Sequence, residues 1–194
     1  MFWFLERLSF EGICSSVNDV SARNSTSYLS HIHFIDSFAT VSYEPTLHIV
    51  LHQPEIPPNT GNIGRTCVAL QAKLWLVKPL GFEITKKTLR RAGLDYWQHL
   101  SWQTVEDWED LCKQIPTERF WLFSRFATKN YLAADYRTGD ALIFGCETAG
   151  LPAEITEQYA DTLLRIETHE NVRSLNLSNA VAVAGFEAHR QILS

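Results

Sequence analysis

The loop QPEIPPNTGNIGR, residues 53–65, concentrates groups that can bind an anion. It follows the apolar run at 47–51 and opens a predicted helix, where free backbone N–H groups favour a phosphate or a carboxylate. Asn59 can donate and accept hydrogen bonds, and Arg65 can form a bidentate pair with an anion. The loop contains neither GK[ST] nor GxGxxG, so it matches no standard nucleotide motif. By itself, a rigid proline-rich turn is the alternative interpretation.

Two further loops combine glycine or asparagine with polar side chains. FGCETAGLP, residues 144–152, carries Glu147, and a helix-capping carboxylate is its alternative interpretation. NVRSLNLSNA, residues 171–180, leads into the last predicted helix, and capping by Ser178 or Asn176 is its alternative. All three loops follow apolar segments, and the carboxyl ends of parallel strands share one edge of a sheet. We therefore expect the loops to form one small-molecule site.

The elements that position these loops alternate between apolar strands and helices. Apolar runs predict strands at 47–51, 73–77, 97–102, 120–124, 141–145 and 163–167. Helical periodicity predicts helices at 61–72, 86–93, 105–115 and 178–193, the last with Ser178 as its N-cap. Apolar strands alternating with helices are typical of parallel strands that are buried on both faces of one sheet. The predicted fold class is therefore α/β.

Composition limits the classes of protein that this chain can be. A length of 194 residues with 45% hydrophobic residues suits one globular domain. The residue composition and the periodicity of apolar residues change near Glu44, so we expect a non-catalytic N-terminal extension at 1–46 and a functional domain at 47–194. The net charge of −5 does not favour general attraction to nucleic acid or to an anionic membrane, so any site for a polyanion has to be local. A local basic segment is formed by Lys86, Lys87, Arg90 and Arg91.

Cysteine spacing and hydropathy predict the compartment. The four cysteines include no CxxC pair, and no histidine stands at metal-ligand spacing, so we expect reduced thiols and no metal site. No apolar run approaches the roughly 18 to 20 residues that span a bilayer. These features predict a cytoplasmic protein with no membrane partner.

The three motifs NTGNIGR (59–65), FGCETAGLP and RSLNLSNA resemble, in order and spacing, the motifs of SpoU-class methyltransferases in the SPOUT superfamily. QPEIPPNTGNIGR and LRRAGLDYW are more specifically similar to the small tRNA (cytidine/uridine-2'-O-)-methyltransferases that act on the wobble nucleotide of leucine tRNAs. The resemblance covers residues 47–193. It implies a trefoil knot involving roughly residues 120–180, a homodimer, and methyl transfer from S-adenosyl-L-methionine to a ribose of the tRNA anticodon stem-loop.

The resemblance also implies roles for particular residues. The implied cofactor contacts are Phe123, Gly145, Ile166, Ser174 and Leu175. The implied catalytic residues are Arg65, Asn59, Glu147 and Asn176. The basic segment Lys86, Lys87, Arg90 and Arg91 is expected to contact RNA phosphates. Because a guanidinium stays protonated, we expect Arg65 to position a phosphate and to stabilise a developing alkoxide rather than to act as a general base.

The chain departs from the usual family pattern at a few positions. The family usually has Pro at Cys146, Arg at Ala149, Pro-Met at Glu167 and Thr168, and commonly Tyr at Phe186. These departures leave a catalytically silent RNA-binding dimer of the same fold as an alternative hypothesis. An unrelated nucleotide-binding α/β protein is a third hypothesis, against which the absent nucleotide motifs count.

Overall fold

The computed structural model describes residues 44–83 and 95–194. The predicted basic helix at 86–93, with Lys86, Lys87, Arg90 and Arg91, lies outside the described residues, as does nearly all of the predicted extension at 1–46. The domain boundary therefore stays a prediction.

The described residues contain one sheet of seven strands. These are β1 (His48–His52), β2 (Lys73–Val77), β3 (Trp102–Val105), β4 (Phe120–Phe123), β5 (Lys129–Asn130), β6 (Ala141–Phe144) and β7 (Leu163–Arg165). The strand order is β3-β2-β1-β6-β4-β7-β5, and every neighbouring pair is parallel. The α/β class and the parallel sheet are thus confirmed.

In the described ranges, four α-helices cover the two faces of this sheet. They are α1 (Pro57–Leu70), α2 (Trp108–Gln114), α3 (Ala153–Gln158) and α4 (Leu177–Ile192). On one face, α1 and α4 pack together over Ile49 and Leu51. On the other face, Val50 lies in a core with residues of α2 and α3. The alternation along β1 follows from the two-residue period of a strand, and burial on both faces explains why the strands are apolar throughout.

Helix α1 begins at Pro57, four residues before the predicted start at 61. The sequence interpretation treated the prolines as loop residues. Proline is tolerated in the first turn of a helix, where its missing N–H would have no intrahelical partner and its fixed φ is already helical. The earlier start places Asn59 within the first turn of α1.

The predicted strand at 97–102 is wrong. A 3-10 helix occupies Asp95–His99, and β3 starts only at Trp102. Trp97 and Leu100 are both buried, three residues apart, against Gly64 of α1. A Cβ at Gly64 would lie 2.9 Å from the Trp97 ring, so this close packing favours a helical turn over an extended segment.

Two predicted helix starts are also corrected. Val105 belongs to β3, and α2 begins at Trp108 after Asp107, whose side chain accepts a hydrogen bond from Asp110 N at 2.8 Å. Ser178 is not the N-cap of α4. Asn176 is the N-cap, and its Oδ1 accepts from Ser178 N at 2.9 Å, which is the usual side-chain capping bond.

Candidate active site

A cavity of about 990 Å³ opens at the carboxyl ends of β4, β6 and β7. Its lining comes from the loops that follow these strands and from residues at or near the starts of α1, α3 and α4. All five predicted cofactor contacts line it, namely Phe123, Gly145, Ile166, Ser174 and Leu175. The volume falls within the usual range of about 300–1,000 Å³ for small-molecule sites. Three of the predicted catalytic residues, Asn59, Glu147 and Asn176, line the same cavity.

Main-chain atoms crowd the cavity at Gly145. A Cβ built on Gly145 would lie 2.0 Å from Gly150 C and 2.2 Å from Leu151 N. The loop is closed by a hydrogen bond from Gly150 N to Cys146 O at 3.0 Å, and Gly150 has a φ of 77°. Only a residue without a side chain fits at Gly145, because the backbone of Gly150 and Leu151 already occupies the Cβ position.

A directional chain of hydrogen bonds joins the three loops. Ser178 N donates to Asn176 Oδ1, and Asn176 Nδ2 donates to Asn59 Oδ1 at 3.0 Å. Asn59 Nδ2 in turn donates to Glu147 Oε1 at 2.9 Å. Asn176 Oδ1 also accepts from Ser178 Oγ at 2.7 Å. Each side-chain amide therefore has its oxygen toward donors and its nitrogen toward an acceptor, so the orientation of both amides is fixed. The chain can end only on an acceptor, which the Glu147 carboxylate provides.

A second set of hydrogen bonds binds the first loop to the loop after β6. Glu147 Oε2 accepts from Glu55 N at 2.8 Å, and Glu147 Oε1 accepts from Ile56 N at 3.3 Å. In return, the Glu55 carboxylate accepts from Thr148 N at 3.1 Å and from Thr148 Oγ1 at 2.8 Å. The two glutamates therefore hold each other's loops. The sequence interpretation did not single out Glu55, because its partner is more than ninety positions away and no local pattern marks the pair.

Arg65 is placed differently from the other predicted catalytic residues. From Asn59 to Arg65, an α-helix advances about 9 Å and turns about 240°, so the two side chains leave α1 on different faces. Arg65 is exposed, and its Cζ lies 4.5 Å from the centroid of the Tyr96 ring. Tyr96 Oη donates to Gly61 O at 2.5 Å, which fixes that ring against α1. Arg65 is not one of the described residues that line the cavity.

The charged residues that line the cavity are mostly cationic. Arg125, Arg165 and Arg173 are exposed at its mouth, and Glu147 is the one carboxylate among the described lining residues. Three guanidinium groups against one carboxylate give these described lining residues a net positive charge, which favours an anionic ligand. Sequence reasoning missed these arginines, which stand outside the three motifs except for Arg173.

Among the described lining residues, Glu147 is the one carboxylate available as a proton acceptor. In the described part of the chain, no histidine, lysine, aspartate or tyrosine lines the cavity. His52 ends β1 but is 5% exposed, with its ring edge-on to Trp108, and burial lowers its pKa. Within the same ranges, no group of three His, Cys, Asp or Glu residues could hold a metal ion, and no helix has the length and apolar character to cross a bilayer.

The fold and the cavity define a class of protein. A parallel α/β sheet carries a cavity at its carboxyl edge, and the loops around it are joined by hydrogen bonds of backbone N–H, side-chain amide and carboxylate groups. Residues 46–186 match the SpoU rRNA Methylase family. The chain belongs to this family of methyltransferases.

Individual relatives agree with this assignment. A "tRNA (cytidine(34)-2'-O)-methyltransferase" of Saccharophagus degradans is 49% identical over 75% of this chain and 95% of its own length. A structure described as "Structural insights into the 2-OH methylation of C/U34 on tRNA" is 42% identical, with a TM-score of 0.69 over 75% of this chain and 95% of that chain. An AdoMet-bound rRNA methyltransferase from Sinorhizobium meliloti is 28% identical, with a TM-score of 0.68 over 78% of this chain and 59% of that chain.

Proposed function

We propose that this protein transfers a methyl group from S-adenosyl-L-methionine to the ribose 2'-hydroxyl of the wobble cytidine or uridine of tRNA, with leucine tRNAs as the substrates. The observation that carries the proposal is the convergence of three distant loops on one cavity, held by the chain from Asn176 through Asn59 to Glu147. The names of the relatives supply the reaction and the nucleotide. The catalytically silent dimer has no support from these relatives.

The residues present fit S-adenosyl-L-methionine. The cavity has room for a ligand of this size, and its lining combines apolar side chains with exposed polar ones, as in small-molecule sites. Phe123, Gly145, Ile166, Ser174 and Leu175 would hold the cofactor. When bound, its sulfonium supplies an electrophilic methyl group, so the protein has to hold the acceptor hydroxyl in line and help it to lose a proton.

The chain's own residues divide these tasks. Glu147, Asn59 and Asn176 fix the loops on either side of the hydroxyl, and their orientation is set before substrate arrives. Arg65 is exposed on α1 and is held over the Tyr96 ring, which suits the positioning of an RNA phosphate. Direct stabilisation of the alkoxide would require Arg65 to reach a cavity that it does not line within the described chain.

RNA and a second copy of the chain are the proposed partners. The anticodon stem-loop would be bound through phosphate contacts of Lys86, Lys87, Arg90 and Arg91. Val183 and Phe186 are 38% and 52% exposed and lie three residues apart on α4, so they share one face. An exposed apolar helix face supports a homodimer. A cytoplasmic location and a non-catalytic extension at 1–46 complete the proposal, with no role for DNA or a membrane.

The test is ribose methylation in the cell and with purified components. Mass spectrometry of tRNA from a deletion strain is expected to show loss of the wobble ribose methyl, and the purified full chain is expected to restore it with S-adenosyl-L-methionine. The matched control is the same tRNA with a 2'-deoxyribose at the wobble position, which lacks the acceptor oxygen. Equal methyl incorporation into both RNAs, or none into unmodified tRNA, would contradict the proposal. Retention of tRNA without any turnover would instead favour the silent dimer.

A further inference from the structure

An aromatic side chain stands exposed at the rim of the cavity. Phe126 lies in the turn after β4, is 75% exposed, and lines the cavity mouth. Single exposed apolar residues are common on protein surfaces, so exposure by itself indicates nothing. Phe126 differs from Leu132 in its position at the cavity. Leu132 is 55% exposed but is not among the described residues that line the cavity.

The turn that carries Phe126 is held in place at both ends. Ser124 N donates to Leu164 O of β7 at 3.0 Å, and Ala127 N donates to Ser124 O at 3.3 Å. Phe126 N donates to Ser124 Oγ at 3.2 Å, and Ala127 is buried. The ring is therefore presented to solvent by a hydrogen-bonded turn, so little conformational entropy is lost when a ligand meets it.

A cation accompanies the ring. Arg125 Cζ lies 4.4 Å from the centroid of the Phe126 ring. Arg165 and Arg173 line the same cavity, so three guanidinium groups share its lining with Phe126 in a chain whose net charge is −5. An aromatic ring in contact with one guanidinium, with two more in the same lining, matches the chemistry of a nucleic-acid strand, in which flat bases alternate with phosphates.

We propose that Arg125 and Phe126 form a stacking platform for one unpaired nucleobase of the RNA substrate, next to the nucleotide whose ribose enters the cavity. The inference rests on the proposed function and adds a binding residue to it. Proteins that read single-stranded RNA loops commonly stack splayed bases on aromatic rings and on guanidinium planes. The anticodon loop offers such bases, and the platform lies at the rim where the loop has to approach.

The test uses the full chain, S-adenosyl-L-methionine and an anticodon stem-loop RNA. Phe126→Ala is expected to weaken RNA binding by about five- to a hundredfold, the range found when one base-stacking aromatic ring is removed. Phe126→Trp is expected to keep the affinity because it keeps an aromatic face. Leu132→Ala, which removes an exposed apolar side chain from outside the cavity lining, is the matched control and is expected to leave affinity unchanged.

A series of RNAs with one abasic nucleotide identifies the stacked base. At one loop position, removal of the base is expected to weaken binding by the wild-type chain but to have little further effect on Phe126→Ala, as in a double-mutant cycle. A ring with a purely structural role would not produce this position-specific coupling. Circular dichroism and unfolding temperatures of the variants are expected to match those of the wild-type chain, because the ring is exposed.

Three results would overturn the inference. Phe126→Ala could bind every RNA as the wild-type chain does. It could instead lose affinity for S-adenosyl-L-methionine in a calorimetric titration, which would place the ring against the cofactor. It could also change the oligomeric state in solution, which would assign the ring to a protein contact. If the wild-type chain methylates tRNA and any of these three results is obtained, only the stacking platform is wrong. If the wild-type chain methylates no tRNA, the proposed function is wrong and the platform proposal is wrong as well.

Discussion

Replacing Glu147 with glutamine tests whether the hydrogen-bond chain holds the three loops together. Glu147 Oε2 accepts from Glu55 N, and Oε1 accepts from Asn59 Nδ2 and Ile56 N, at distances of 2.8, 2.9 and 3.3 Å. A glutamine supplies one oxygen and one NH2 group in the same space. Whichever way it is oriented, its NH2 group meets at least one N–H donor.

The expected loss of stability follows from the glutamine orientation that keeps the most hydrogen bonds. With its oxygen toward Asn59, the variant loses the bond from Glu55 N and leaves two donors facing each other. Turning the Asn59 amide instead would place its NH2 group against that of Asn176. Two donors would then face each other at the Asn59–Asn176 contact rather than at residue 147. Loss of one hydrogen bond to a charged group costs about 1.5–3 kcal/mol, and the partial exposure of this site favours the lower end. For a domain of this size that corresponds to a fall of about 3–10 °C in the unfolding temperature.

The assay is thermal and urea unfolding of Glu147→Gln beside Glu167→Gln. Glu167 is exposed and makes no hydrogen bond to another residue of the described chain, so its substitution is expected to change the unfolding temperature little. A double-mutant cycle with Asn59→Ala is expected to show coupling of about 0.5 kcal/mol or more, because the two residues share a bond. If Glu147→Gln and Glu167→Gln unfold at the same temperature, the hydrogen bonds of Glu147 do not hold the loops together, and the prediction is refuted.

Two further predictions concern the cavity wall and acid stability. Gly145→Ala is expected to destabilise the fold by about 1–3 kcal/mol or more and to abolish binding of S-adenosyl-L-methionine in calorimetry, because its Cβ would clash with the backbone of Gly150; unchanged unfolding and binding would contradict this. Burial, with a smaller contribution from Lys73, holds the pKa of His48 at about 4, below its usual 6.5, and its Nδ1 accepts from Trp75 Nε1 at 3.0 Å. The unfolded chain therefore binds more protons between these values, so stability is fully present above about pH 6.5 and falls by at most about 3 kcal/mol toward pH 4. Urea unfolding against pH is expected to show a smaller fall for His48→Gln, and parallel curves for the two proteins would refute the assignment.

Local patterns predicted most of the fold. The strand KLWLV was predicted at 73–77 and is found as Lys73–Val77, because an apolar run between polar residues fixes both of its ends. Errors occurred where one residue type suits two conformations. Pro57 begins a helix although proline is also typical of loops, and Trp97 belongs to a 3-10 turn although aromatic residues also favour strands. In both cases packing against neighbouring elements decided between the two.

The candidate site, like the fold, was predicted from the sequence only in part. Asn59, Glu147 and Asn176 were predicted to share one site, since loops after parallel strands meet at one edge, and they line one cavity. The catalytic role of Arg65 stays a prediction, because the start of α1 at Pro57 and the helical turn that follows place its side chain on a different face from Asn59.

The sequence by itself determined the class of fold, the family, and the edge of the sheet at which the site is built, because these depend on apolar periodicity and on short motifs that keep their order. Only the tertiary structure decided which polar atoms meet. Glu55 and Thr148 bind each other across a long stretch of chain, and the exposed Phe126 shares one cavity lining with Arg125, Arg165 and Arg173. Contacts of this kind depend on how the sheet brings distant loops together, and no local spacing in the sequence encodes them.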